Sequence, residues 1–120
     1  MGKAAISLTT GLEDAERVTV AMLVAVGAAE SGRPTLIFLT KEAARLAIDG
    51  FAHGVACDGC PPIEGLMKRY ADAGGEFLVC GVCVDSKGLD PASFVANAKK
   101  GGTVQLWEWI GDEGATTFSY

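Results

Sequence analysis

The sequence holds a single histidine, His53, in 120 residues. It stands in Gly50-Phe51-Ala52-His53-Gly54, where it reads as an ordinary loop residue, so neither a Ser-His-Asp triad nor a Cys-His pair has a ready base. Long apolar runs are also missing. The longest, Val18 to Ala29, covers about twelve residues where a membrane span needs about twenty, and no crossing of a bilayer is expected. There is no block of basic charge: ten Lys+Arg against fifteen Asp+Glu give a net charge of -5, which excludes the electrostatic footprint of a nucleic-acid binder. No glycine follows Gly11 at the spacing of a dinucleotide fingerprint, and no phosphate loop exists, so nothing supports NAD or ATP chemistry. Repeats, low-complexity segments and linkers are absent. Met1-Gly2-Lys3-Ala4-Ala5-Ile6 lacks the hydrophobic segment of a secretory signal, and Ile6 stands where a myristoylation signal wants Ser or Thr. A cytoplasmic location with reduced thiols is the expectation.

What is present is apolar bulk and glycine: 49% hydrophobic residues and 16 glycines, with only 21% charged residues. The length and composition predict one domain over residues 1–120, with apolar surface buried on more than one side. Ala4 to Leu8 reads as a buried strand ending in the turn Thr9-Thr10-Gly11. Leu12 to Glu30 reads as a helix, with Glu13, Asp14 and Glu16 in its first turns and Ser31-Gly32 and Pro34 as its stop. This helix has no real polar face, which predicts a sheet on one side and a neighbouring subunit on the other.

Thr35 to Leu39 is continuously apolar, as in parallel sheets buried on both faces. Thr40 is placed to cap a helix over 41–48, and Val55 to Cys57 reads as a short third strand. Pro61-Pro62 opens a helix through Ala73, and Glu76 to Cys80 reads as a fourth strand. Gly81 to Lys87 reads as a short helix or turn, and Asp90-Pro91 as the start of a helix through Ala98, ended by Lys99-Lys100-Gly101-Gly102. Thr103 to Ile110 admits helix or strand, with helix favoured, and Thr116 to Tyr120 reads as a terminal strand. The predicted fold is a three-layer α/β/α structure around a mostly parallel sheet of about five strands.

Four cysteines are the chemically informative residues. Ligands in such folds bind outside the carboxyl ends of the strands, and Cys80 ends one. The free N–H groups of the segment that follows favour a thiolate there, hence a nucleophile. Cys83 completes Cys80-Gly81-Val82-Cys83, and Lys87 lies one further turn away. Thr9, Thr10 and Gly11, at the end of the first strand, are candidate pocket residues and equally turn residues. Trp107 and Trp109 read as core or subunit contacts.

The residues also carry a resemblance. Leu8-Thr9-Thr10-Gly11 with Glu13-Asp14, the Pro61-Pro62 helix start, Ala73-Gly74-Gly75, Phe77-Leu78-Val79-Cys80, Leu106-Trp107-Glu108-Trp109-Ile110 and the closing Ala115-Thr116-Thr117-Phe118-Ser119-Tyr120 together resemble the DsrE/DsrF-like family, which includes TusD-type sulfur-relay subunits. The likeness runs over essentially the whole chain. It implies a persulfide carried on Cys80, a helix at Trp107, a final strand at Phe118 and assembly into trimers or hexamers. Its expected partners are sulfur donor and acceptor proteins or small sulfane-sulfur donors, and its expected activity is that of a carrier or sulfurtransferase with no required cofactor.

Cys57-Asp58-Gly59-Cys60 is not explained by the resemblance. With Cys80 and Cys83 it makes C-x2-C-x19-C-x2-C, the spacing of a four-thiolate zinc site. Three readings of the thiols therefore stand side by side. They are a persulfide on Cys80 with Cys83 resolving it to a disulfide, zinc held by Cys57, Cys60, Cys80 and Cys83, and reversible disulfides within each pair.

Overall fold

A computed structural model of the chain describes residues 2–120. Five strands, β1 (Lys3–Leu8), β2 (Thr35–Leu39), β3 (Glu76–Cys80), β4 (Ala98–Gly101) and β5 (Ala115–Ser119), form one sheet in the order β4-β3-β2-β1-β5. Every pairing is parallel. Four helices connect them: α1 (Ala15–Glu30), α2 (Ile63–Asp72), α3 (Gly81–Ser86) and α4 (Thr103–Ile110). The order places β2 in the centre between β3 and β1, with β4 and β5 at the edges, so the ends of β1, β2 and β3 lie side by side on one rim.

One face of the sheet carries Ile6, Leu8, Ile37, Leu39, Phe77 and Val79 and is covered by α1 and α2. Alternate residues of these strands point to opposite faces, and both faces are apolar, which is why β2 has no polar residue other than Thr35. Helix α1 starts after a 3-10 turn, Leu12–Asp14, and Asp14 caps it by accepting from the Arg17 N–H at 3.1 Å. Its buried stripe is Val18, Ala21, Met22, Ala25, Val26 and Ala29. The alanines bring its backbone close to its neighbours. Val20 and Leu23, on the other side, stay 43% and 46% exposed, so within one chain the helix is covered on one side only. Helix α2 buries Ile63, Leu66 and Tyr70, and the Tyr70 hydroxyl donates to the Glu76 carbonyl at 2.6 Å with the Thr35 carbonyl at 3.1 Å.

The opposite face is smaller. Leu36, Phe38 and Leu78 pack under Leu106 and Trp109 of α4, with Cys80 at the edge of the cluster. Helix α4 is held at both ends. The Gln105 side chain turns back to accept from Gly102 N–H at 2.8 Å, and Lys3 donates to the Trp109 carbonyl at 2.6 Å while its ammonium lies 5.3 Å from the Trp109 ring centre. Trp107, on the outer side of α4, is 69% exposed.

Two expected elements differ. Val55 to Cys57 is not a strand: Gly54 and Gly59, at φ 77° and 73°, turn the chain on either side of it, and β2 pairs directly with β3. Asp90 to Ala98 is not a helix: Asp90 caps a single 3-10 turn, Pro91–Ser93. Val95 N–H then donates to the Ala47 carbonyl at 2.7 Å and Phe94 bridges to Ile48, so the chain is drawn flat across the fold and into β4. The Lys99-Lys100 pair belongs to that edge strand, where lysines discourage further pairing. The segment over 41–48 is a 3-10 helix, Lys41–Ala47.

Candidate functional site

The site is a rim built by the carboxyl ends of three strands. After β1 the chain turns through Thr9, Thr10 and Gly11. Thr9 is tied to the chain terminus, with its N–H at 2.9 Å and its hydroxyl at 3.1 Å from the Tyr120 carbonyl, and Thr10 is buried. Gly11 packs onto the next loop: a Cβ there would stand 2.6 Å from the Glu42 carbonyl oxygen, so only glycine fits without a backbone shift.

After β2, Thr40 is extended and Lys41 takes a left-handed backbone, φ 53°, alone among the non-glycine residues described. That conformation has a visible consequence, because the Lys41 N–H donates to Cys83 Sγ at 3.2 Å. Glu42 follows and receives two cations, Lys87 Nζ at 2.5 Å and Arg45 Nε at 3.0 Å. Both hydrogen bonds, Lys87 first, hold its carboxyl below the ordinary carboxylate range.

After β3, Cys80 is the last strand residue and Cys83 lies in α3, both half-buried free thiols. The two thiols, three residues apart, are near enough for Cys80 to act on the titration of Cys83. Burial pushes the Cys83 thiol up; the Lys41 N–H opposes this, and the neighbouring Cys80 adds to it. Cys83 therefore stays protonated to higher pH than a free cysteine. Beside Cys80 the chain packs closely on β4: Cys80 is in register with Gly101, and a Cβ on Gly81 would be 3.4 Å from the Gly101 carbonyl.

The expected pocket residues are thus brought together in part. Cys80, Cys83, Lys87 and the Thr9-Thr10-Gly11 turn share the rim, with Lys87 engaged by Glu42 and its charge felt by Cys83. Lys41 and Glu42 are additions that helix-cap reasoning at Thr40 did not single out. Their position just beyond a strand end was the available signal.

The four cysteines are not assembled into one ligand set. Cys57 and Cys60 are bonded to each other, with Cα atoms 5.1 Å apart, and Cys80 and Cys83 are free. Among the described residues no group of three or more His, Cys, Asp or Glu side chains is placed to hold a metal ion. The Cys57/Cys60 pair follows a turn, not a strand. His53 is exposed and lies 3.1 Å from Glu64.

A five-stranded parallel sheet with helices on both faces and a dithiol at the end of β3 defines a small α/β protein with a thiol site on its strand-end rim. The sequence profile of the DsrE/DsrF-like family matches residues 2–118, and the chain belongs to that family. The fold is shared with the ychN protein from E. coli at TM-score 0.82 and 17% identity, over 100% of both chains. It is shared also with MTH1491 from Methanobacterium thermoautotrophicum, at TM-score 0.69 and 9% identity over 100% of both chains. BT1422 from Bacteroides thetaiotaomicron aligns at TM-score 0.65 and 18% identity over 99% of this chain and 95% of that one. No curated protein matches the sequence.

Proposed function

We propose that the protein is a sulfur carrier or sulfurtransferase that holds sulfane sulfur as a persulfide on Cys80. The observation that carries this reading is the pair of free, adjacent thiols at the end of β3, in a chain of the DsrE/DsrF-like family. The Cys80 thiolate attacks the outer sulfur of a donor persulfide. A new S–S bond forms on Cys80, the donor S–S bond breaks, and the donor leaves as a thiolate. An acceptor thiolate then takes that outer sulfur in the same way and restores Cys80. The exchange balances without a cofactor.

Cys83 offers a second exit. As a thiolate it attacks Cys80 Sγ, expelling hydrosulfide and leaving a Cys80–Cys83 disulfide. Burial and the Cys80 neighbour raise the Cys83 pKa, which disfavours this exit and lets the persulfide persist until an acceptor arrives. The partners are sulfur donor and acceptor proteins or small sulfane-sulfur donors. The reading includes a cytoplasmic location and a homo-oligomer, a trimer or hexamer, in which a second copy covers exposed apolar residues such as Val20 and Leu23 on α1 or Val104 and Trp107 on α4. Intact-mass measurement after incubation with a sulfane donor tests the central step. Wild type gains one sulfur and Cys80→Ser gains none; equal gain in both would refute it.

A further inference from the structure

The Cys57–Cys60 disulfide lies outside that chemistry. As a structural staple it is weak, because a bridge between residues three apart closes a very short loop and removes little freedom from the unfolded chain. The turn it spans is already held by the Cys60 N–H on the Cys57 carbonyl at 2.9 Å and by Gly59 in the left-handed region. On its C-terminal side Pro61-Pro62 and the Ile63 N–H, which donates to the Val55 carbonyl at 3.1 Å, fix where α2 begins. These contacts hold the loop independently of the S–S bond.

The two sulfurs are not equivalent. Cys57 Sγ faces inward, 3.8 Å from the hydroxyl of Thr19, a residue only 2% exposed on α1 that itself donates to the Ala15 carbonyl. Cys60 is half-buried, as Cys57 is, but its Sγ lies on the side of the exposed Asp58 and Gly59, 3.6 Å from the Asp58 carbonyl in an exposed contact. Attack on a disulfide is in line, so an incoming nucleophile needs one reachable sulfur and a leaving sulfur behind it. Cys60 supplies the first and Cys57 the second.

We infer that Cys57–Cys60 is a reversible thiol–disulfide exchange site, distinct from Cys80 and Cys83, whose substrates are thiols or dithiols that reach Cys60 from solvent. A substrate thiolate bonds to Cys60 Sγ, the Cys57–Cys60 bond breaks and Cys57 leaves as a thiolate that takes up a proton. A second substrate thiolate then attacks the substrate sulfur of the mixed disulfide and releases Cys60. Two thiols are oxidised to one disulfide, and the protein gains two electrons and two protons. The reverse sequence, with a substrate disulfide as oxidant, restores the bond.

The test uses the Cys80→Ser/Cys83→Ser double variant, so that only this pair responds, and a series of reduced and oxidised glutathione mixtures. Alkylation and intact mass count the thiols. The inference expects a smooth passage from no thiols to two and back, with the far-ultraviolet circular dichroism unchanged. Added singly to that background, Cys57→Ser leaves Cys60 to take up glutathione at least about tenfold faster than Cys57 does when Cys60→Ser is added. Peptide mapping of wild type gives the same comparison if a variant folds poorly. A disulfide that opens only when the chain unfolds, or equal uptake by the two cysteines, would overturn the inference.

Discussion

Removing one oxygen atom from Tyr70 tests how the sheet and α2 are joined. The Tyr70 ring is fully buried, meets Phe77 edge-on at 5.1 Å between centres, and places its hydroxyl between the first residues of β2 and β3. Burial raises the hydroxyl pKa well above its ordinary value, so it remains a donor throughout the working pH range. Tyr70→Phe keeps the ring and its packing, deletes the donor and leaves the Glu76 carbonyl without it. The cost is one buried hydrogen bond and the desolvation left behind, about 1–2 kcal/mol. For a domain of this size that is a fall in Tm of about 4–8 °C with an unchanged denaturant slope. Urea titration and calorimetry read both. Because the hydroxyl meets the amino ends of the strands and Cys80 stands at the carboxyl end, sulfur loading should be unaffected. A change in Tm below about 1 °C would refute the claim that this hydrogen bond joins α2 to the sheet.

Other outcomes follow from the rim. Gly11→Ala forces a Cβ against the Glu42 backbone and should cost about 1–3 kcal/mol by denaturant titration, together with reduced reactivity at Cys83, whose Lys41 donor sits on the displaced loop. Glu42 has a lowered pKa in the folded chain, so its contribution is complete above the unfolded carboxylate pKa near 4.5 and is lost as pH falls through the folded value. Glu42→Gln should flatten that acid limb of the stability curve. Cys83 has a raised pKa, so its alkylation rate should climb at higher pH than that of a free cysteine, and deprotonating it should destabilise the fold as pH rises through the folded value. Cys80→Ser removes part of the cause and should shift the Cys83 alkylation profile to lower pH; an unchanged profile would show that the thiols do not interact.

The sheet was legible where hydrophobicity and turn signals agreed. Thr35 to Leu39 and Glu76 to Cys80 are apolar runs of strand length bounded by Gly, Pro or a capping residue, and both are strands. Ala98 to Gly101 was hidden, because two lysines and a glycine resemble a helix ending, and only tertiary contacts, Phe94 with Ile48, Val95 with Ala47 and Asn97 with Gly75 and Phe77, direct that segment onto the edge of β3. The expected count of about five strands survived because the strand mistaken at Val55 was replaced by the one missed at Ala98. The position of Cys80 at the end of a strand was legible. The left-handed backbone at Lys41 could not, since lysine carries no local sign of it and the tertiary contact with Cys83 accompanies it.

The central claim is that sulfur resides on Cys80. Trypsin cuts after Arg69 and Lys87, so one peptide, Tyr70 to Lys87, carries Cys80 and Cys83 apart from Cys57 and Cys60. Loading the protein with a sulfane donor, trapping with an alkylating agent and fragmenting that peptide locates the added sulfur directly. The account predicts one extra sulfur on Cys80 and none on Cys83. Extra sulfur confined to Cys83, or found only on the peptide containing Cys57 and Cys60, would contradict it.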